Sequence, residues 1–229
     1  MTPIAAFFDF DRTLVDADSQ RTEALSLAGN PPVPIYPLRL LKAAAAGPLH
    51  KRALISHDQY NRIYLSTYKG IPLSFLSRLG QTLYRKKLKP LLFPEMAQVI
   101  QTHREQGHLI ILVSATSRHL LEPYVRDLKP DAWAATKIAT DPAGVCTGNP
   151  LGEICLGPEK ARIVERLARK MEIDLSRSHA YSDHHADLEF LETVGRPVAV
   201  NPTPMLAGIA AQRNWAVKRP HCQAKAFEF

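Results

Sequence analysis

Two short stretches of the chain, Ile4-Ala5-Ala6-Phe7-Phe8 and Leu109-Ile110-Ile111-Leu112-Val113, are apolar at every position. Runs this short, with no polar alternation, predict strands buried on both faces of a parallel sheet. Pro197-Val198-Ala199-Val200 and the less apolar Ser178-His179-Ala180-Tyr181 are further candidates for the same sheet. Helical periodicity falls between them. One helix is predicted from Pro94, a favourable first-turn residue, through Ala97, Ile100 and Arg104 to a stop at Gly107. A second opens at Gly157-Pro158 and places Val164, Leu167, Ala168 and Met171 on one face, with Arg162, Glu165, Arg166, Arg169 and Lys170 outside. Two more are predicted over about 186–194 and 204–213. Strand and helix alternate, so the expected fold is α/β, a doubly wound, mostly parallel, Rossmann-like sheet with right-handed crossovers.

Residues 16–90 break this rhythm. They carry helical patterns without a convincing strand, and include the proline-rich link Pro31-Pro32-Val33-Pro34-Ile35-Tyr36-Pro37. They are read as a helical cap inserted after the first strand, with residues 1–15 and 91–218 forming the core and 219–229 a patternless tail. Glycines and Pro150 within 145–154 predict a β-hairpin or loop. No internal repeat is found.

The chain has 229 residues, 45% hydrophobic and 22% charged, an ordinary balance for a globular protein that folds alone. Its start lacks the basic region of a secretory signal, and no apolar run approaches the roughly 20 residues of a spanning helix. Cys146, Cys155 and Cys222 have no paired spacing, and Cys155 reads as core. A cytoplasmic location without a membrane partner is expected. The formal charge of +7 attracts anions of any kind. The densest basic run, Arg85-Lys86-Lys87-Leu88-Lys89, reads as a solvated face and helix end, and no aromatic-interleaved basic motif marks a nucleic-acid groove.

Ligands of open parallel sheets bind beyond the carboxyl ends of the strands. There the chain places Asp9 and Asp11, then Ser114 and Thr116, then Ser182 and Asp183, with Asp187 four residues further. Lys160 lies four residues before Val164, on the buried stripe of its helix, and an inward ammonium needs an anionic partner. Acids, one lysine and one hydroxyl at one sheet edge suit phosphoryl transfer. A carboxylate can attack phosphorus, a second can carry the proton, and Mg²⁺ prefers oxygen ligands.

Asp9-Phe10-Asp11-Arg12-Thr13, Val113-Ser114-Ala115, Lys160, and Tyr181-Ser182-Asp183 with Asp187 resemble the four ordered motifs of the haloacid dehalogenase superfamily. The match is nearest to its aspartate-nucleophile phosphatases, and the insert resembles the cap of the phosphoserine-phosphatase-like subfamily. The resemblance implies that Asp9 is the nucleophile and a Mg²⁺ ligand, and that Asp11 is the general acid/base whose main-chain carbonyl also binds the metal. It further implies that Asp183 completes the metal ligands, that Asp187 supports the metal waters or Lys160, and that Ser114 and Lys160 hold phosphoryl oxygens. Dehalogenating members lack an acid at the position of Asp11, so dehalogenation is not expected. His184 and His185 depart from the small or amide residues common in the fourth motif, and are read as loop residues rather than metal ligands.

Asp18 stands where phosphoserine phosphatases carry an acid that meets the substrate amine; the alternative is a helix cap before the insert. Arg12 is expected to stabilise the loop or meet the cap, and Thr116 and Asn201 to act as cap or turn residues. The expected activity is hydrolysis of a small phosphorylated metabolite, phosphoserine or a related amino-alcohol phosphate such as histidinol phosphate. A phosphotransferase or a non-catalytic regulatory or anion-binding protein on the same fold are the alternatives, and monomer and homodimer both stay open.

Overall fold

The computed structural model describes residues 2–52 and 54–222. Its core is a six-stranded sheet of β1 (Ala5–Phe8), β2 (Leu109–Ser117), β3 (Ala132–Thr136), β6 (His179–Ser182), β7 (Arg196–Val200) and β8 (Ala216–Lys218), in the order β3-β2-β1-β6-β7-β8. Every pairing within it is parallel. β1 is the switch point: the chain first adds β2 and β3 on one side, then β6, β7 and β8 on the other.

Burial on both faces follows from the period-two direction of strand side chains. Ala6 and Phe8 of β1, with Ile110 and Leu112 of β2, pack against α5 (Pro94–Glu105) and α6 (Arg118–Leu128) through Met96, Ile100, Leu120 and Leu121. Ala5, Phe7, Ile111 and Val113 face the other layer. There α7 (Pro158–Met171), α8 (Leu188–Glu192) and α9 (Pro204–Gln212) supply Val164, Ala168, Phe190, Leu191, Leu206 and Ala210. The strands and helices read from the apolar pattern are thus present, and β3 and β8 are added to them.

Residues 16–90 contain α1 (Ser19–Gly29), α2 (Tyr36–Lys51), α3 (His57–Ser66) and α4 (Leu73–Leu83), and among the described residues no strand. A hairpin of β4 (Ile138–Thr140) and β5 (Cys146–Pro150) packs on these helices. Ile138, Cys146 and Ile154 join Leu27, Tyr68, Ile71 and Leu76 in one apolar cluster. Main-chain bonds from Gly70 N to Cys146 O and from Cys146 N to Ile71 O, 2.8 and 2.9 Å, fasten the hairpin to the α3–α4 turn. The basic run 85–89 continues α4 as one π turn, Tyr84–Leu88, and a 3₁₀ turn, Lys89–Leu91, where Lys89 Nζ meets Asp127 at 2.7 Å. Of the tail, residues 223–229 lie outside the described residues.

The helical insert is tied to the core by a buried polar knot. Glu23 of α1 is fully buried, and it receives the Tyr68 hydroxyl at 2.5 Å and meets His119 Nε2 of α6 at 2.6 Å. Close by, Gly80 of α4 packs on the backbone of His119, where an added Cβ would sit 2.5 Å from the carbonyl oxygen, so only glycine permits this approach. Replacing Glu23 with Ala strands the tyrosine and histidine in an apolar interior. The expected result is a loss of about 2–3 kcal/mol of unfolding free energy in urea titration; a change within a few tenths would show that the knot does not hold the cap.

Candidate active site

Asp9 is the first residue beyond β1, and its backbone N–H donates to Tyr181 O at 2.9 Å, so it begins its loop still paired to β6. After it the chain turns sharply, with Leu14 N–H bonding to Phe10 O at 2.8 Å and Arg12 in the left-handed region at φ 56°. This turn sends Asp9 and Asp11 to the carboxyl edge of the sheet.

Lys160, in the first turn of α7 and 1% exposed, reaches across to that edge. Its Nζ lies 2.8 Å from Asp9 Oδ1 and 2.6 Å from Asp187 Oδ2. The Ser182 hydroxyl donates to the same Asp187 oxygen at 2.6 Å. Burial works to lower the Lys160 pKa, but Asp187 and Asp9 outweigh it and hold the ammonium above its ordinary value. Burial raises Asp9 above the usual carboxylate range, with Lys160 opposing and Asp187 adding to the rise. Asp183 is pushed up to about 8, by burial and then by the charges of Asp9 and Asp187. Three carboxylates thus face one ammonium, an excess of negative charge that suits a cation.

Asp11 points toward the cap. Its Oδ1 accepts Ser19 N–H at 3.0 Å, and its Oδ2 accepts the Ser19 hydroxyl at 2.8 Å and the Thr116 hydroxyl at 2.9 Å. Burial, then the neighbouring Asp18 charge, raises it to about 7. Ser114 is buried and bonded to Thr116 at 3.1 Å, so its hydroxyl is linked through Thr116 to Asp11.

The structure therefore brings Asp9, Asp11, Ser114, Lys160, Asp183 and Asp187 to one edge. Thr116 differs from its expected turn role: it lies within β2 and its side chain holds Asp11. Ser19, unnoticed in the sequence beyond its place before a helix, grips the same carboxylate twice. Asp18 is exposed and caps α1 by accepting Arg21 N–H at 2.8 Å. It also lines a cavity of about 770 Å³ with Arg12, Arg21, Lys86 and Lys87. His184 is a cap as well, accepting Ala186 N–H at 3.1 Å, while His185 approaches Thr203 at 3.4 Å. Asn201, left-handed at φ 41°, donates to Pro220 O at 3.1 Å as a turn residue. Among the described residues, no helix is long and apolar enough to cross a membrane.

Residues 6–192 match the family model described as haloacid dehalogenase-like hydrolase. A Streptomyces azureus protein named inhibition of morphological differentiation protein is 32% identical over 216 residues, 93% of this chain and 77% of that one. A Mycobacterium tuberculosis protein named phosphoserine phosphatase SerB1 is 30% identical over 220 residues, 93% of this chain and 70% of that one. The crystal structure of a protein of unknown function from Bordetella pertussis Tohama I superposes with a TM-score of 0.82 at 27% identity, covering 95% of this chain and 99% of that one. With the model spanning most of the core and these relatives nearly the whole chain, the protein belongs to the haloacid dehalogenase-like hydrolase family, in the branch that resembles phosphoserine phosphatase.

Proposed function

We propose that this hydrolase is a phosphatase that transfers the phosphoryl group of a small monoester to Asp9 and then to water. The observation that supports this most is the pairing of Asp9 with buried Lys160 beside a separately held Asp11. A carboxylate oxygen of Asp9 attacks phosphorus while the bond from phosphorus to the alcohol oxygen breaks. Asp11 gives its proton to that oxygen. A water molecule then attacks the phosphoaspartate, Asp11 takes its proton, and inorganic phosphate leaves with Asp9 restored. Lys160 and Ser114 would hold the non-bridging oxygens, and Thr116 and Ser19 would aim Asp11.

The excess of carboxylates fits a hard dication, and Asp9, Asp183 and the Asp11 carbonyl would hold Mg²⁺, which would neutralise charge on the phosphate. Stripping divalent ions with a chelator should reduce phosphate release at least about a hundredfold, with recovery on adding Mg²⁺; activity indifferent to the chelator would contradict the metal assignment.

Asp18 and the cations beside it favour a zwitterionic leaving group, with the ammonium at Asp18 and a carboxylate near Arg21, Lys86 or Lys87. Phosphoserine carries both groups, whereas histidinol phosphate and other amino-alcohol phosphates carry the amine alone. Comparing kcat/KM for these esters, phosphoserine should lead, and Asp18→Ala should lower its turnover roughly tenfold while leaving an uncharged aryl phosphate ester unaffected. Equal losses on both esters would assign Asp18 to helix capping alone.

A further inference from the structure

At the opposite edge of the sheet from Asp9, three imidazoles meet. His103 is in the last turn of α5, His108 lies between α5 and β2, and His179 opens β6. One ring nitrogen from each lies within 4.8 Å of the other two. His103 Nδ1 and His108 Nδ1 are 2.8 Å apart, and the His103 and His179 ring centroids 4.7 Å. The second nitrogen of His103, Nε2, is 2.7 Å from the Tyr181 hydroxyl. His179 stands three residues before Ser182, or about 10 Å along the strand, so the trio has no part in the chemistry assigned to Asp9.

We propose that His103, His108 and His179 form a second metal site, one that takes Zn²⁺ or a similar borderline dication rather than Mg²⁺. An all-imidazole set selects such metals, whereas the carboxylate edge suits hard ones. Tyr181 supplies the outer contact that a ligating ring uses: in the tautomer whose Nε2–H is donated to the Tyr181 oxygen, His103 presents a bare Nδ1 toward His108. Two Nδ1 atoms at 2.8 Å share a proton when no metal is bound. A bound ion would take the place of that proton, which moves to His108 Nε2, and spread the pair to roughly 3.3 Å, the ligand separation of a tetrahedral site with bonds near 2.05 Å. His108 and His179 are only partly buried, so a fourth position is open to water.

The rings are already in the ligating, neutral form at pH 7. Burial, then the facing His179, His108 and Lys218, holds His103 down at about 4. Burial, then Arg196 and His108, does the same for His179, to about 4, and burial, Arg196 and Arg177 lower His108. Binding therefore displaces few protons. The same three cations repel a dication, so the affinity expected is modest, with Kd on the order of 1 μM.

The test titrates the full chain with Zn²⁺ alone in a calorimeter, in excess Mg²⁺ so that the carboxylate edge is filled. His108→Gln and His179→Gln are chosen because these rings are partly exposed, and metal-free melting curves matching the native protein establish that each folds; either one suffices. One equivalent should bind to the native protein and to Asp183→Asn, and at least tenfold more weakly to the histidine variants. Co²⁺ in place of Zn²⁺ should give the visible bands of a low-coordinate nitrogen site in the native protein and lose them in the variants. Zn²⁺ binding unchanged in the histidine variants, lost in Asp183→Asn, or absent at about 100 μM would overturn the proposal.

Discussion

Asp9→Asn should abolish phosphate release from every monoester, by at least about 10⁴-fold in kcat, while leaving the fold intact. The amide keeps the shape of the side chain, so packing at this buried position is preserved, yet it cannot attack phosphorus as an anion. The stability effect should be small: burial raises the Asp9 pKa, so its charge is held at a cost that Lys160 only partly offsets, and in the variant Lys160 keeps Asp187 as its partner. Phosphate assays and urea unfolding on one preparation separate the two effects. A variant retaining a tenth of native activity would mean that the carboxylate is not the nucleophile, and one that fails to fold would be replaced by Asp9→Glu, which keeps the charge but misplaces it.

Lys160→Met should have the second largest effect, and on two readouts. The methionine fills much of the same buried space but leaves Asp9 and Asp187, which now share the ammonium at 2.8 and 2.6 Å, facing each other without it. Removing one partner of a buried ion pair costs about 3–5 kcal/mol, which for a chain of this size lowers Tm by roughly 10 °C. In chelator the full loss should be seen. Mg²⁺ should restore part of it, because a dication bound by Asp9 and Asp183 relieves the same repulsion. Phosphate release should fall about 10²–10³-fold even with the metal present, since the ammonium is also expected to steady phosphoryl oxygens. An unchanged Tm in chelator would show that Lys160 is not what stabilises the acids.

Much of this site could be read along the chain because the chemistry sits where apolar runs end. Asp9 follows Phe8 and Asp183 follows β6, so finding the strands located the acids, and Lys160 betrayed itself by standing on the buried stripe of α7. Thr116 was located by the same rule, but its bond to Asp11, like those of Ser19, could not be read along the chain. The Ser19 contact depends on how the cap seats against β2, where Gln20 and Ser117, 97 positions apart, also touch, and the Thr116 contact on β1 and β2 lying side by side. β8 escaped notice because all three of its residues are exposed, leaving no apolar pattern at the sheet edge. β3 is built from small residues and Trp133, partly buried rather than continuously apolar. The hairpin reads in the sequence as a β-hairpin or loop over 145–154, which covers β5 but not β4, since the surface it packs on lies on the cap helices rather than in its own sequence. The three histidines were likewise invisible, being brought together from α5, a turn and β6.

Trapping the covalent intermediate tests the central claim most directly. Native enzyme turning over a reactive monoester is quenched into borohydride, which reduces an acyl phosphate to an alcohol, and the digested peptides are mapped by mass. Homoserine at Asp9, in a yield that depends on substrate and Mg²⁺, is the result predicted. Turnover without any modification at Asp9, or with the modification at another residue, would contradict it.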